Sequence, residues 1–241
     1  DLGNETIYQV LNRKKKNHFS YFKKIIDTLK KIQLIKNRKI KNFKNNKYSI
    51  PIYKKKILFK EANLFCEWFI LNNLPKSKKK QFNRKFRLLV KKILSKLKLK
   101  NNVFVHRDFH VSNLILKNNR IGVIDSQDAL IGSKAYDLAS LIDDVRFKTS
   151  KSFKNLIYEY YLKSENKIDK EQLKNDFEIL SVLRNLKIIG IFTRLSIRDK
   201  KKKYLKLIPY AWRLISLRIG ENKNLEPLRE LLIKNFKNRI K

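Results

Sequence analysis

The 241-residue chain contains one cysteine, no methionine, five glycines and four prolines, and only 21 acidic residues stand against 59 lysines and arginines. Each shortage excludes something. Cys66 alone forms no internal disulfide, and with three scattered histidines it makes a poor zinc site, so nothing calls for an oxidising compartment. No apolar run reaches the roughly 18–20 residues of a membrane-spanning helix. The N-terminus lacks the basic, apolar, small-residue order of a signal peptide. A soluble cytoplasmic protein without a membrane partner is the expectation. The missing methionine and the start at Asp1 point to a fragment. The length allows one large domain or two small ones, and there is no internal repeat or Gly/Ser-rich linker.

The formal net charge is +38. Clustered lysines would release counterions on meeting phosphates, which suits RNA or an anionic surface. Yet lysine dominates arginine, and Asn, Ile and Phe are abundant, the residues that A/T-rich codons favour. The basic runs "NRKKKN", "PKSKKKQ", "DKKKKY" and "NFKNRIK" are spread along the chain. Most aromatics fall at helical core spacing instead of interleaving with the basic groups as stacking platforms do. Compositional bias is therefore the favoured reading and no specific nucleic-acid partner is expected, although weak non-specific RNA binding stays open.

Apolar periodicity predicts an amphipathic helix over 19–35, with Phe19, Phe22, Ile26, Leu29 and Ile32 on one face. The polar stretch after it, up to Pro51, reads as a loop. Helical spacing resumes over 57–71 through Leu58, Ala62, Phe65 and Phe69. A basic helix follows over about 78–97, with Phe82, Phe86, Leu89, Ile93 and Leu97 inward. At Val103 the texture changes: "VFVH" is a short β run, and "LILKNNRIGVID" is a hairpin around the polar turn "KNNR". Helices return over about 137–146, 152–163, 169–197, 201–218 and 225–237, with Asp169 as an N-cap and Pro209 ending or kinking the fourth.

The unusual polar residues gather in the β-element. Phosphoryl transfer needs a carboxylate to orient the attacking hydroxyl and accept its proton, and hard oxygen ligands for Mg²⁺. A kinase meets this with H-x-D-x-x-x-x-N on a loop, then a hairpin, then a second Asp. Here His106, Arg107 and Asp108 begin the loop, Asn113 lies five residues past Asp108, and Asp125 closes the strand "IGVID". Asp108 is the candidate base, and Asn113 and Asp125 the candidate metal ligands. His106 reads as support for the loop. His110 reads either as a substrate contact or as a satisfied loop histidine. H-R-D alone is a weak triplet and an Asp ending a strand is common turn chemistry; the conjunction is what is specific.

"FVHRDFHVSNLIL…IGVIDSQDALIGSKAYDLASLIDDVR" resembles the aminoglycoside-phosphotransferase-like kinases. More narrowly it is similar to the bacterial branch that phosphorylates N-acetylmuramate and N-acetylglucosamine at the anomeric hydroxyl, which reads "HRDYHSRNL" and "IDFQDA…GP…YDLASLL" at these places. "DLGNETIYQVL", "KEANLFCEWFI" and "LKIIGIFTRLSIRDKKKKYLKLIP" extend the likeness over nearly the whole chain. The resemblance implies an α+β, protein-kinase-like C-terminal lobe, mostly helical with a catalytic β-hairpin. It implies residues 1–11 as hinge and start of that lobe, 12–241 as the lobe itself, a catalytic loop over 105–116 and a metal-binding loop over 121–132. It implies ATP and Mg²⁺ as cofactors, and an amino sugar of cell-wall recycling as acceptor. Asp108 is then the base, Asn113 and Asp125 hold Mg²⁺, and Asp137 supports the catalytic loop alongside His106 and Arg107. An ordinary helix N-terminal acid is a compatible reading of Asp137. Gln127 and Asp128 border the substrate, and Glu61, Glu67 and Trp68 lie on an acceptor wall, although Trp68 equally suits a core. Asp1 and Leu2 match the hinge that contacts adenine.

Ser126 departs from the family phenylalanine, and Gly132-Ser133 from "GP". The family's N-terminal lobe, with its glycine loop and strand lysine, has no counterpart here, so these 241 residues alone are expected to show little phosphotransferase activity. An aminoglycoside, choline-like or other small alcohol is the rival acceptor class. A catalytically dead basic module that binds RNA or a partner is the rival of a different kind.

Overall fold

The computed structural model describes residues 3–14, 16–35, 38–41, 44–165 and 168–240. In chain order the elements are α1 (Ile7–Arg13), α2 (His18–Gln33), β1 (Lys39–Lys41), β2 (Lys47–Ser49), α3 (Lys55–Leu64), a π-helical turn (Phe65–Ile70) and α4 (Leu71–Asn73). Then come α5 (Lys76–Ser95), β3 (Val103–Val105), a 3₁₀ turn (Val111–Asn113), β4 (Leu114–Lys117), β5 (Arg120–Val123), β6 (Leu130–Gly132) and α6 (Lys134–Ile142). The chain ends with α7 (Lys151–Lys163), α8 (Lys170–Ile197), a 3₁₀ stretch (Lys202–Leu207), α9 (Ile208–Ile219) and α10 (Glu226–Phe236). Among the described residues no helix is long and apolar enough to cross a membrane.

The chain divides into two compact units, residues 1–53 with 99–173, and residues 54–98 with 174–241. In the first, Thr6 and Gln9 form a reciprocal capping box that starts α1. Helix α2 buries Phe22, Ile25, Ile26, Leu29 and Gln33; Phe19 and Ile32, expected inward, are only half-buried, and the helix stops before Leu34. All three strand pairs among the described residues are antiparallel: β1–β2, β3–β6 and β4–β5. The first corrects the expectation of a loop before Pro51. Its lysine-rich strands leave every β2 side chain exposed, so no apolar alternation marks it. Segment 51–53 joins β6, with the Tyr53 N–H donating to the Ile131 carbonyl at 2.7 Å. Helix α6 starts earlier than expected, on the Ser133 cap, and ends at Ile142.

The second unit is built on an aromatic cluster. Phe65, Phe69, Phe82, Phe86, Trp212 and Phe236 lie with ring centroids 5.2–6.4 Å apart. Most of these pairs are edge-on or tilted, as the ring quadrupole favours. The π-helical turn, invisible to a 3.6-residue template, buries Phe65, Cys66, Phe69 and Ile70 together. Burial pushes the Cys66 thiol up to about 12, which makes it inert. Helix α5 turns Phe82, Phe86, Val90, Ile93 and Leu94 inward, in place of the expected Leu89 and Leu97. Pro209 sits in the first turn of α9, so the helix expected over 201–218 is split into a 3₁₀ stretch and α9.

A Cβ on Gly190 of α8 would lie 2.4 Å from the Leu64 carbonyl carbon and oxygen, and 2.7 Å from the Phe65 nitrogen. Backbone cannot yield as a side-chain tip can. Gly190→Ala is expected to lower stability by about 3 kcal/mol, read as a fall in the urea midpoint; an unchanged midpoint would mean that the two helices separate at little cost.

Candidate active site

Two features of the first unit bring the polar residues together: the register of one hairpin and one buried carboxylate. Asn118 and Asn119 both have positive φ (47° and 61°), the requirement of a two-residue I′ turn. That turn pairs Lys117 with Arg120 and, at the far end, Leu114 with Val123. One step further, the Ile124 N–H donates to the Asn113 carbonyl at 3.1 Å, so Asn113 and Asp125 end up at the same edge. The Asn113 amide donates to the Asp108 carbonyl at 3.1 Å and reaches Asp125 Oδ2 at 3.5 Å. The residue five positions past Asp108 therefore links the start of the loop to the hairpin's closing carboxylate.

Asp137, fully buried in the first turn of α6, accepts the His106 N–H at 2.6 Å and the Arg107 N–H at 3.0 Å. Two charge-assisted bonds to consecutive amides fix the path of the chain immediately before Asp108. Arg107 is left-handed, at φ 74°, and so is Asp125, at φ 68°. Such backbone is costly for side-chain-bearing residues and concentrates at functional loops. Gln127 turns its amide back to Asp125 Oδ1 at 2.6 Å, and the Arg107 guanidinium donates to the Asp128 carbonyl at 3.1 Å.

His106 is buried, and its Nε2 lies 2.9 Å from the Ile124 carbonyl. A carbonyl only accepts, so Nε2 carries the proton and ties the loop to the end of β5. Burial pushes the imidazole below its ordinary 6.5, against the opposing pull of the Ile124 bond and the Asp108 and Asp125 charges. As pH falls through about 6.5, the unfolded chain takes up this proton before the folded one does. Stability is therefore full above that range, declines below it, and the loss is complete once pH passes the folded value. The urea midpoint is expected to fall as pH drops below about 6.5, and to fall less in His106→Gln. Parallel curves for the two proteins would remove His106 from the linkage.

The structure thus gathers Asp108, Asn113, Asp125, His106, Arg107, Asp137, Gln127 and Asp128 within one loop-and-hairpin region. Glu61 and Trp68 belong to the second unit: Glu61 pairs with Lys187 at 3.2 Å, and Trp68 is a half-buried residue of the π-helical turn. Asp1 and Leu2 lie outside the described residues. Two contributors had no sequence signal. The Leu116 N–H donates to the Glu5 carbonyl at 3.0 Å, laying the chain's start against β4, and Tyr53 places its ring under the Arg107 cation at 5.6 Å.

Among the described residues no group of three or more His, Cys, Asp or Glu side chains is arranged to hold a metal. Asn113 and Asp125 supply hard oxygens from two side chains. That fits Mg²⁺, which takes one or two protein ligands and completes its shell with phosphate oxygens and water.

Among solved structures, the fold is similar to an ethanolamine kinase of Plasmodium vivax, at TM-score 0.55 and 16% identity, covering 83% of this chain and 58% of that one. It is also similar to amicoumacin kinase hAmiN in complex with AMP-PNP, Ca²⁺ and Ami, at TM-score 0.53 and 15% identity, covering 81% and 58%. These likenesses define the class: an α+β, kinase-like fold of the aminoglycoside-phosphotransferase type. The model of the phosphotransferase enzyme family matches residues 7–188, and the chain belongs to that family. In sequence it is 36% identical over 195 residues to the N-acetylmuramate/N-acetylglucosamine kinase of Neisseria meningitidis, covering 76% of this chain and 57% of that protein. It is 28% identical to the protein of the same name from Pseudomonas putida, covering 96% of this chain and 67% of that protein.

Proposed function

We propose that the protein, in its full length, transfers the γ-phosphoryl group of ATP to a hydroxyl of an amino sugar of the N-acetylmuramate/N-acetylglucosamine class. The observation that carries this reading is the Asn113 amide joining the Asp108 carbonyl to the Asp125 carboxylate, in a chain whose relatives bear that kinase name. Residues 1–11 serve as hinge and start of the kinase-like lobe formed by 12–241, with the catalytic loop at 105–116 and the metal loop at 121–132.

Asp108 orients the attacking hydroxyl and takes its proton as the new P–O bond forms and the γ-phosphorus bond to the departing ADP breaks. Asn113 and Asp125 are the residues that would hold Mg²⁺, which would supply neutralisation of the phosphate charge. Asp137 and His106 keep the loop's path fixed, so the base arrives already oriented. Gln127 and Asp128 border the acceptor, and Asp1 and Leu2 contact adenine. Dependence on ATP suits a cytoplasmic site.

The acceptor is decided by a panel assayed with the full-length protein, ATP and Mg²⁺, holding N-acetylmuramate, N-acetylglucosamine, an aminoglycoside, choline and ethanolamine. Preferential turnover of the acetylated sugars is expected. Preference for a cationic acceptor would move the assignment to the rival class, and turnover of none would remove the activity.

A further inference from the structure

Arg107 stands where the backbone favours glycine. At φ 74° its side chain is held in a conformation that L-residues with long side chains rarely adopt. Its own N–H is fixed by Asp137, so that conformation is imposed by the path of the loop. The side chain that tolerates this strain reaches across to a different segment. Its guanidinium donates to the Asp128 carbonyl at 3.1 Å and lies over the Tyr53 ring, 5.6 Å from the centroid. Tyr53 is buried and bonded through its backbone to β6, so the cation rests on a fixed platform. The segment it grips is a tight turn, closed by the Ala129 N–H donating to the Ser126 carbonyl at 3.1 Å, with Gln127 and Asp128 exposed at its corner.

We infer that Arg107 is a positioning residue that clamps the turn 126–129 to the loop bearing Asp108, and so sets where the acceptor sits relative to the base. The inference rests on the proposed kinase reading for its kinetic consequence, and on geometry alone for the clamp. Glycine would relax the backbone at this position and remove the reach, so strain and function separate in one substitution.

The test compares Arg107→Gly and Arg107→Lys in the full-length protein. Glycine is expected to leave the thermal midpoint within about 2 °C, because relief of strain offsets the lost contacts. Amide exchange at Ala129 should accelerate by about tenfold or more, while exchange at Ile131 changes little. The acceptor KM should rise by about tenfold, with the ATP KM within about twofold. Lysine keeps a donor and a cation over Tyr53, and should restore most of the Ala129 protection. Unchanged Ala129 exchange in the glycine variant, or ATP and acceptor KM rising together, would overturn the clamp. Should the unmodified protein phosphorylate none of the acceptors, the kinase reading fails, and Ala129 exchange still decides the clamp.

Discussion

Asp108→Asn in the full-length protein is expected to lower kcat by about a hundredfold to ten-thousandfold, the span a positioned general base contributes. Asparagine preserves the shape of the side chain and removes the basic oxygen. The Asn113 amide bonds to the backbone carbonyl of residue 108, not to its side chain, so that link survives the substitution. His106 is buried, with its ring tied through Nε2–H to the Ile124 carbonyl, so it supports the loop. The acceptor KM should stay within about threefold, because the loss falls on the transition state rather than on ground-state binding. Unfolding curves of the two proteins should superimpose. A variant that retains more than about a tenth of the activity would assign proton transfer elsewhere.

Asp137→Ala should act on the opposite quantity. The carboxylate is fully buried and accepts two consecutive backbone N–H groups. Truncation leaves both donors without that acceptor, and each orphaned buried group costs about 1–3 kcal/mol. The expected loss is about 2–6 kcal/mol, a large share of the 5–15 kcal/mol that typically separates folded from unfolded protein. The helix-dipole reading of Asp137 alone gives only about 0.3–1 kcal/mol. Urea unfolding separates the two: a loss under about 1 kcal/mol would leave Asp137 as an ordinary first-turn acid. Asp108→Asn and Asp137→Ala together split the region into a residue that does chemistry and one that holds the loop.

The β4–β5 hairpin was legible because "KNNR" supplies two asparagines for a turn that demands positive φ, between runs of apolar residues. Once the hairpin is in register, the spacing of Asn113 and Asp125 becomes a spatial statement, so the gathering of these two residues could be read from the chain. The support shell was less legible. Asp137 and His106 are legible as supports, but the acceptors and donors that make them so, the Ile124 carbonyl and the amides of 106 and 107, are backbone groups without a residue signature. Tyr53 lies outside the motif altogether.

The β1–β2 hairpin is not legible because exposed lysines give no alternation, nor is the π-helical turn, whose wider winding breaks the template that marks an α-helix. The lysine excess also hides an exception. Lys154 is almost wholly buried, 3.3 Å from Asp143 and 2.5 Å from the Ile142 carbonyl, and nothing in its neighbourhood of the sequence distinguishes it from the solvated lysines.

The proposed function makes the loop and hairpin a phosphoryl-transfer site. Its most direct test is ³¹P NMR of the full-length protein with ATP, Mg²⁺ and N-acetylmuramate, run beside Asp108→Asn. A sugar-phosphate signal growing as ATP is consumed is expected, with almost none over the same period from the variant. Equal signals from both proteins, or folded protein that forms no sugar phosphate, would contradict it.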